Sequence, residues 1–138
     1  MSIVQTQTTS FKKELYQAVH NLATDTIKIA LYTGNADLNE DTTVYSATNE
    51  VSGTGYTAGG ETMTGVAISS SGYVAYANWA NVSWTAVLTA RCALIYNVTQ
   101  GNKSIAVLDF GSDKTSTTTF TITMPANTST TALIRSSN

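Results

Sequence analysis

Two apolar runs separated by a short polar loop constrain the fold of this chain more than any other feature. Residues 90–96 (ARCALIY) and 104–110 (SIAVLDF) flank a glycine-containing loop at residues 97–103. This pattern is typical of two adjacent antiparallel strands. Both runs are too apolar to leave one face in water, so the sequence predicts a hairpin at the centre of a core.

A charged pair in this hairpin predicts the register of its strands. If the loop is symmetric, Tyr96 pairs with Ser104, and Arg91 falls opposite Asp109. Unlike charges on facing strands help to fix register, so we expect an Arg91–Asp109 pair at the open end of the hairpin. The stretch contains no obvious nucleophile, base or metal cage, which favours a scaffold over an active site.

A single helix is predicted near the N-terminus. Phe11, Leu15, Ala18, Val19 and Leu22 recur at three- and four-residue spacing, which indicates a helix over residues 10–22. Ser10, at the start of this segment, is a candidate N-cap, because its hydroxyl can accept a backbone N–H of the first turn. Residues 1–9 are interpreted as a polar arm, and we expect this arm to contact a neighbouring subunit.

The rest of the chain predicts strands. Residues 25–32 alternate with period two, and further short strands are predicted at residues 42–45, 62–69, 72–77, 82–88, 117–124 and 131–135. With the hairpin they make about seven to nine antiparallel strands, too closely spaced for parallel crossovers. We therefore expect residues 10–138 to form one all-β domain, a sandwich or barrel, with the single helix.

The composition limits the classes of partner. The chain has 138 residues, of which 12% are charged, with a net charge of −2 and a pI of about 5.1. This balance argues against nucleic-acid binding. Ser and Thr make up more than a quarter of the chain. A hydroxyl-rich, weakly charged surface suits crowded assemblies, in which like charges on neighbouring copies would repel.

Few residues are candidates for chemistry. His20 is the only histidine and Cys92 the only cysteine; we interpret His20 as a surface or half-buried helical residue and Cys92 as a buried apolar one. Glu50 and Glu61 flank the glycines of a segment at residues 48–61, which is compatible with a glycosidase pair only if the fold brings the two carboxylates together. We expect no enzyme, no cofactor and no metal site.

Two loops are best interpreted as structural rather than as binding sites. Asp37, Glu40 and Asp41 cluster in one loop, which could bind calcium weakly but lacks the spacing of a calcium-binding loop. A solvated loop is the preferred interpretation. In residues 48–61 the glycines permit tight turns, and Tyr56 is predicted to fix the loop to the domain.

Five segments resemble a family of small virion proteins of tailed bacteriophages. They are FKKEL at 11–15, DTIKIALYT at 25–33, TNEVSGTGYTAGGET at 48–62, TARCALIYN at 89–97 and SIAVLDFGSDKT at 104–115, followed by ALIR at 132–135. Each is a weak motif alone, and their order and spacing give the resemblance its specificity. The resemblance implies a structural component of the particle and carries over no catalytic residues.

The resemblance and the composition together favour a capsid decoration protein. We expect a homo-oligomer that contacts the major capsid protein and stabilises the head shell, with strand exchange or β-augmentation by the arm as the mode of contact. Residues assigned to the partner interface are Ile3, Val4, Tyr56, Trp79 and Trp84. The alternative is a tail or fibre-tip protein that binds host surface glycans through Trp79, Trp84 and neighbouring tyrosines.

The expected location is the virion, after synthesis in the cytoplasm of a bacterial host. The first residues, MSIVQTQTTSFKKE, contain no apolar run typical of a signal peptide, and no membrane span is predicted.

Overall fold

Three antiparallel sheets form the framework of residues 2–137, the part of the chain that the computed structural model describes. Their strands are β1 (Thr6–Gln7), β2 (Ile27–Tyr32), β3 (Glu61–Thr62), β4 (Ala67–Ser71), β5 (Val74–Asn78), β6 (Val82–Trp84), β7 (Leu88–Asn97), β8 (Lys103–Ser116), β9 (Phe120–Ile122) and β10 (Ile134–Ser136). A single helix, α1 (Thr9–Tyr16), accompanies them within this range. The predicted all-β fold with one N-terminal helix is confirmed.

The strands form sheets in the orders β1-β8-β7-β2-β3, β10-β5-β4 and β6-β9. Residues 2–137 contain ten strands, against the predicted seven to nine. The count includes β1 and β3, which have only two residues each. The predicted strand at residues 62–69 is replaced by β3 and β4, since Gly65 turns the chain between them with a φ of +67°. Residues 42–45 contribute only an isolated bridge between Val44 and Lys103.

The predicted hairpin is the centre of the five-stranded sheet, and it is buried on both faces. On one face, Ala93 and Ile95 of β7 belong to the main core, which also contains Trp84 and Phe120. On the other face, Leu94 and its neighbours belong to a second core. The second core consists of Ala30, Tyr32, Ala36, Leu38, Cys92, Leu94, Tyr96 and Val107. The two-sided burial explains why both runs are continuously apolar.

The register of the hairpin is confirmed beside the loop and shifted beyond it. Tyr96 pairs with Ser104, as predicted, but Asp109 lies opposite Cys92 because the ladder is irregular between Ile95 and Tyr96. A second irregularity follows at Arg91. Such bulges insert unpaired residues, so counting from a symmetric loop fails past them.

Arg91 and Asp109 are nevertheless neighbours. The Arg91 Nε lies 3.4 Å from the Asp109 Oδ1 without the geometry of a hydrogen bond. Both side chains are partly exposed, so this contact contributes at most about 1 kcal/mol. The pair does not close the hairpin, because the strands continue to Leu88 and Ser116.

The helix is shorter than predicted, and its cap differs. The Thr8 hydroxyl, not that of Ser10, accepts the Phe11 N–H at 3.3 Å. The helix ends at Tyr16 rather than at residue 22, because Ala18 adopts a left-handed φ of +58°. The chain then turns back, and Leu22 packs on the main core from outside the helix.

The arm lies on its own domain. Thr6 and Gln7 pair with Val107 and Ala106 of β8, and the Val4 N–H donates to the Leu38 carbonyl at 3.0 Å. The described part of the arm is thus held by its own domain, and its expected contact with a neighbouring subunit stays a prediction. Met1 lies outside the described residues.

The end of α1 yields a stability prediction. The Val19 N–H bonds to the Glu14 carbonyl and the Ala18 N–H to the Leu15 carbonyl, a C-terminal cap that places Ala18 where glycine is usual. Ala18→Gly should raise the free energy of unfolding by about 0.5–1 kcal/mol, because it relieves the left-handed backbone of a residue with a Cβ.

Urea unfolding measures this change. The matched control is Ala23→Gly, at an exposed residue of the same connection whose φ is not positive. That substitution should not stabilise the protein, because it only adds freedom to the unfolded chain. Equal effects of the two substitutions would contradict the capping argument.

Candidate functional site

The two tryptophans assigned to a partner interface belong to the core. Trp79 is 5% exposed and Trp84 is 2% exposed. Trp84 packs against Tyr56 and Phe120, with ring centroids 6.2 Å apart in each case. Neither indole is available to stack on a sugar ring or to fill a partner's pocket, so this part of the predicted interface is wrong.

Of the other predicted interface residues, Tyr56 packs against Trp84, whereas Ile3 and Val4 lie near Leu38 in the cover of the second core. Ile3 is half-buried, bridges to Leu38 and packs on the second core. Val4 is 38% exposed. Tyr56 is half-buried and packs on the main core. The structure therefore does not bring the five residues together in one surface.

Glu50 is the centre of a hydrogen-bonded cluster that holds the glycine-dense segment. The Tyr45 hydroxyl donates to its Oε1 at 2.6 Å, and the Tyr56 hydroxyl donates to its Oε2. The Gly59 N–H also donates to Oε2, at 2.8 Å. The Tyr96 hydroxyl donates to the Gly59 carbonyl at 2.6 Å. Both carboxylate oxygens are thus occupied by donors of the same chain.

The tyrosines of this cluster remain protonated donors over a wide pH range. Burial, hydrogen bonding to Glu50 and the charge of that carboxylate raise the pKa values of Tyr45 and Tyr56 well above the usual 10.0. Burial and the same charge raise the pKa of Tyr96 to about 12. The hydrogen bonds of the cluster therefore persist at neutral pH and hold the glycine-dense segment in place. The predicted role of Tyr56 in fixing this segment is confirmed.

The segment could not pack so closely without glycine. A Cβ on Gly60 would stand 1.8 Å from the Ile29 carbonyl oxygen, and a Cβ on Gly55 would stand 2.0 Å from that of Thr85. Both residues have positive φ angles, which glycine adopts freely. Glu61, the other half of the hypothetical glycosidase pair, begins β3 as an exposed residue. The glycines thus serve close backbone approach.

A second polar cluster joins the turn after α1 to the central hairpin. The His20 Nε2 lies 2.9 Å from the Glu14 Oε1, and the Asn97 Nδ2 lies 2.9 Å from the His20 Nδ1. The Asn97 Nδ2 also donates to the Asp25 Oδ2 at 2.8 Å. His20 lies outside the helix and its side chain is fully buried, so the prediction of a surface or half-buried helical histidine is wrong.

The arrangement fixes the tautomer of His20. The Asn97 Nδ2 can only donate, so the His20 Nδ1 accepts its hydrogen bond. The His20 Nε2 then carries the hydrogen and donates it in a hydrogen bond to the Glu14 Oε1. The ring also contacts Phe11, with centroids 5.0 Å apart. No serine or cysteine hydroxyl or thiol bonds to this ring among residues 2–137, so it is not arranged to activate a nucleophile.

Asp25 completes this cluster as an acceptor. Burial raises the pKa of Asp25, but hydrogen bonds from the Asn21 N–H and from the amides of Asn97 and Gln100 outweigh it. The pKa therefore lies below its usual 3.8. The carboxylate is ionised at neutral pH and ties the hairpin loop to the start of β2.

The remaining candidates have structural environments. Cys92 is fully buried, and burial raises the pKa of its thiol to about 12. In the acidic loop, the Asp37 Oδ1 accepts the Ser2 N–H and the Asn39 amide, each at 3.1 Å. Across the described residues, no three His, Cys, Asp or Glu side chains are grouped as metal ligands. No helix in this range has the length and apolar character to cross a bilayer.

The surface that sequence reasoning missed is a largely apolar groove of about 390 Å³ beside α1. Leu15 and Leu22 line it from the helix side, and Ile68, Ala75 and Ile134 line it from the three-stranded sheet. Leu15 is 38% exposed and Ile68 is 55% exposed. The signal that could have found this surface is Leu15, which the apolar stripe placed in a longer, more buried helix.

Two tyrosines are the most exposed aromatic residues of the described chain. Tyr16, at the end of α1, is 93% exposed, and Tyr73, in the turn between β4 and β5, is 89% exposed. Exposed aromatic side chains are enriched at protein and sugar contacts. The groove and these tyrosines, rather than the tryptophans, are the candidate contact surface.

No protein-family model, curated protein or solved structure matches this chain. The resemblance to phage virion proteins therefore stays a prediction that depends on the five quoted segments.

The Glu50 cluster yields a second stability prediction. Glu50→Gln should lower the free energy of unfolding by about 1–3 kcal/mol, because one of its two oxygen acceptors becomes a donor that faces other donors. Glu61→Gln is the matched control, since Glu61 is exposed and should change stability by less than about 0.5 kcal/mol. Urea unfolding of both variants gives the comparison. Equal effects would contradict the assigned role of Glu50.

The Asp25 cluster yields a pH prediction. Because the folded-state pKa is lowered, the contribution of Asp25 is present above its usual pKa and is lost as the pH falls through the folded-state value. Asp25→Asn should therefore cost about 1 kcal/mol at neutral pH, and the difference from the native protein should close in acid. Urea unfolding at both pH values measures this. Asp113→Asn, at an exposed residue, is the control; a pH-independent deficit in Asp25→Asn would contradict the prediction.

Proposed function

We propose that this chain is a structural protein of a tailed-bacteriophage virion, and specifically a decoration protein that stabilises the head shell. The observation that carries the proposal is a division within the structure. The buried reactive side chains are occupied by internal hydrogen bonds or apolar packing, whereas apolar side chains remain exposed beside α1 and β4. Such a division suits a binding module better than a catalyst.

The closed polar clusters support a non-catalytic role. A general acid or base must reach the substrate proton, directly or through one water molecule. Glu50 has donors on both oxygens, and His20 is enclosed between Glu14 and Asn97. Neither arrangement leaves an acceptor or donor directed at a substrate. The same bonds give the subunit a rigid shape, which a load-carrying element needs.

The groove supports a role in assembly. Its lining combines the partly exposed Leu15 and Ile68 with the buried Ile134, so a partner that inserts an apolar side chain would remove exposed area from water. A stable contact with the shell requires more than about 1,000 Å² of buried surface, so the groove would be one part of a wider interface. By bridging neighbouring capsomers, the protein would oppose the pressure of packaged DNA.

Tyr73 favours a second candidate function, glycan binding at a tail or fibre tip. Its ring is 89% exposed at the turn of a hairpin, where it could stack on a sugar face. This candidate no longer involves Trp79 or Trp84, because both are core residues. Loss of host adsorption in Tyr73→Ala, with the fold intact, would favour it over a head-shell role.

Imaging of the intact particle tests the proposal. We expect many symmetric copies of the protein on the outer face of the head shell. A few copies at the tail would replace the decoration role by the second candidate, and absence from purified particles would contradict both.

A binding assay with undecorated heads tests the groove. Leu15→Lys should weaken binding about tenfold or more, because a charge in an apolar contact must be desolvated. The control is Gln17→Lys, which adds the same charge at an exposed residue outside the groove. Equal binding of both variants would contradict the role of the groove.

A further inference from the structure

We infer that β4 is a self-pairing edge through which two copies of this chain join their three-stranded sheets. The inference deepens the proposed function, on which its biological meaning rests, by naming the surface of subunit–subunit contact. It also replaces the arm, which lies on its own domain, as the element that pairs with a neighbour.

The first argument is that β4 has a free hydrogen-bonding side. It is the edge of the sheet β10-β5-β4, and each of its five residues is exposed. The turn at residues 72–73 has two residues, with Gly72 at a φ of +60°, so Ser71 and Val74 form the adjacent hydrogen-bonded pair.

The alternation of an antiparallel ladder then assigns the free groups. The backbone N–H and C=O groups of Ser71, Ser69 and Ala67 face β5. Those of Ile68 and Ser70 face away from the sheet. Among the described residues, neither Ile68 nor Ser70 has a backbone hydrogen bond outside the sheet ladder. The edge therefore offers two donors and two acceptors in the spacing that a further strand requires.

The second argument is the absence of charge. Residues 62–90 contain no Asp, Glu, Lys, Arg or His. Natural edge strands are commonly protected by charged residues, by proline or by bulges. β4 has none of these features, and its ladder with β5 is regular over all five pairs. Two copies could therefore approach without like charges on the facing strands.

The third argument is that the strand is complementary to itself. With a two-fold axis at Ser69, Ile68 of one copy pairs with Ser70 of the other, and Ala67 pairs with Ser71. The outward groups of Ile68 and Ser70 then meet each other, which gives four backbone hydrogen bonds and a six-stranded sheet. The two Ser69 residues form the central pair without backbone hydrogen bonds. Small side chains at this position let the strands approach.

The register can be tested by cross-linking. Facing residues of a pair without backbone hydrogen bonds have Cα atoms about 4.5 Å apart, within the range of a disulfide. Ser69→Cys should therefore form a disulfide-linked dimer on mild oxidation with oxidised glutathione. The control is Ser71→Cys, because the two copies of residue 71 would be about 13 Å apart. The native Cys92 is fully buried and does not interfere.

A charge swap tests the same axis without covalent chemistry. Ser69→Lys and Ser69→Glu should each weaken self-association about tenfold or more, because like charges meet at the axis. A mixture of the two variants should restore dimers that contain one copy of each. Thr117→Lys, at an exposed residue away from β4, should leave self-association unchanged. Sedimentation equilibrium compares these four samples with the native protein, and circular dichroism checks their folds.

The outcomes are separable from those of the proposed function. Cross-linking by Ser69→Cys with little by Ser71→Cys, together with recovery in the mixed pair, supports the inference. A monomer at every concentration, equal cross-linking of both cysteine variants, or pairing only with another virion protein overturns it. None of these results depends on whether particles carry the protein, and imaging of the particle is unaffected by them.

Discussion

The burial of the central hairpin on both faces is the constraint on which the rest of the structure depends. Because the halves of β7 and β8 next to the hairpin loop are apolar on each side, the sheet needs two covers rather than one. The remaining small sheets cover the face with Ile95. The face with Leu94 is covered by irregular chain, including Ala36, Leu38 and the arm residue Ile3. The arm is thus part of the cover of the second core.

An irregular cover must satisfy its own backbone groups, and this requirement explains the polar clusters. Glu50 collects two tyrosine hydroxyls and the Gly59 N–H, so the glycine-dense segment is held without regular secondary structure. In the second cluster, Asn97, which follows Tyr96 in β7, joins His20 to Asp25. Glu50 and His20, the candidates for acid–base chemistry, are both hydrogen-bonded within these clusters. The same hydrogen bonds therefore hold the chain in place and occupy these side chains.

The sequence predicted what depends on local pattern and missed what depends on tertiary context. The two-sided burial of the hairpin followed from apolar continuity, and the pairing of Tyr96 with Ser104 followed from loop symmetry. The bulges that move Asp109 opposite Cys92 leave no local signal, because they adjust the sheet to its neighbours. The burial of Trp84 was equally undetermined, since aromatic residues in a polar stretch suit both core and surface. The end of α1 at Tyr16 depends on the backbone of Ala18, which propensity does not reveal.

The same division of polar and apolar residues bears on assembly. An edge of five uncharged residues would give only a weak isolated dimer, because the proposed pairing has four backbone hydrogen bonds, each with a net contribution of about 1 kcal/mol. Repeated on a symmetric shell, however, each weak pairing would be assisted by the attachment of both copies to the same surface. An uncharged edge would then leave most copies unpaired in dilute solution and would pair them where the local density is high. A charged edge would lose this dependence on density, because repulsion would persist where the copies are closest.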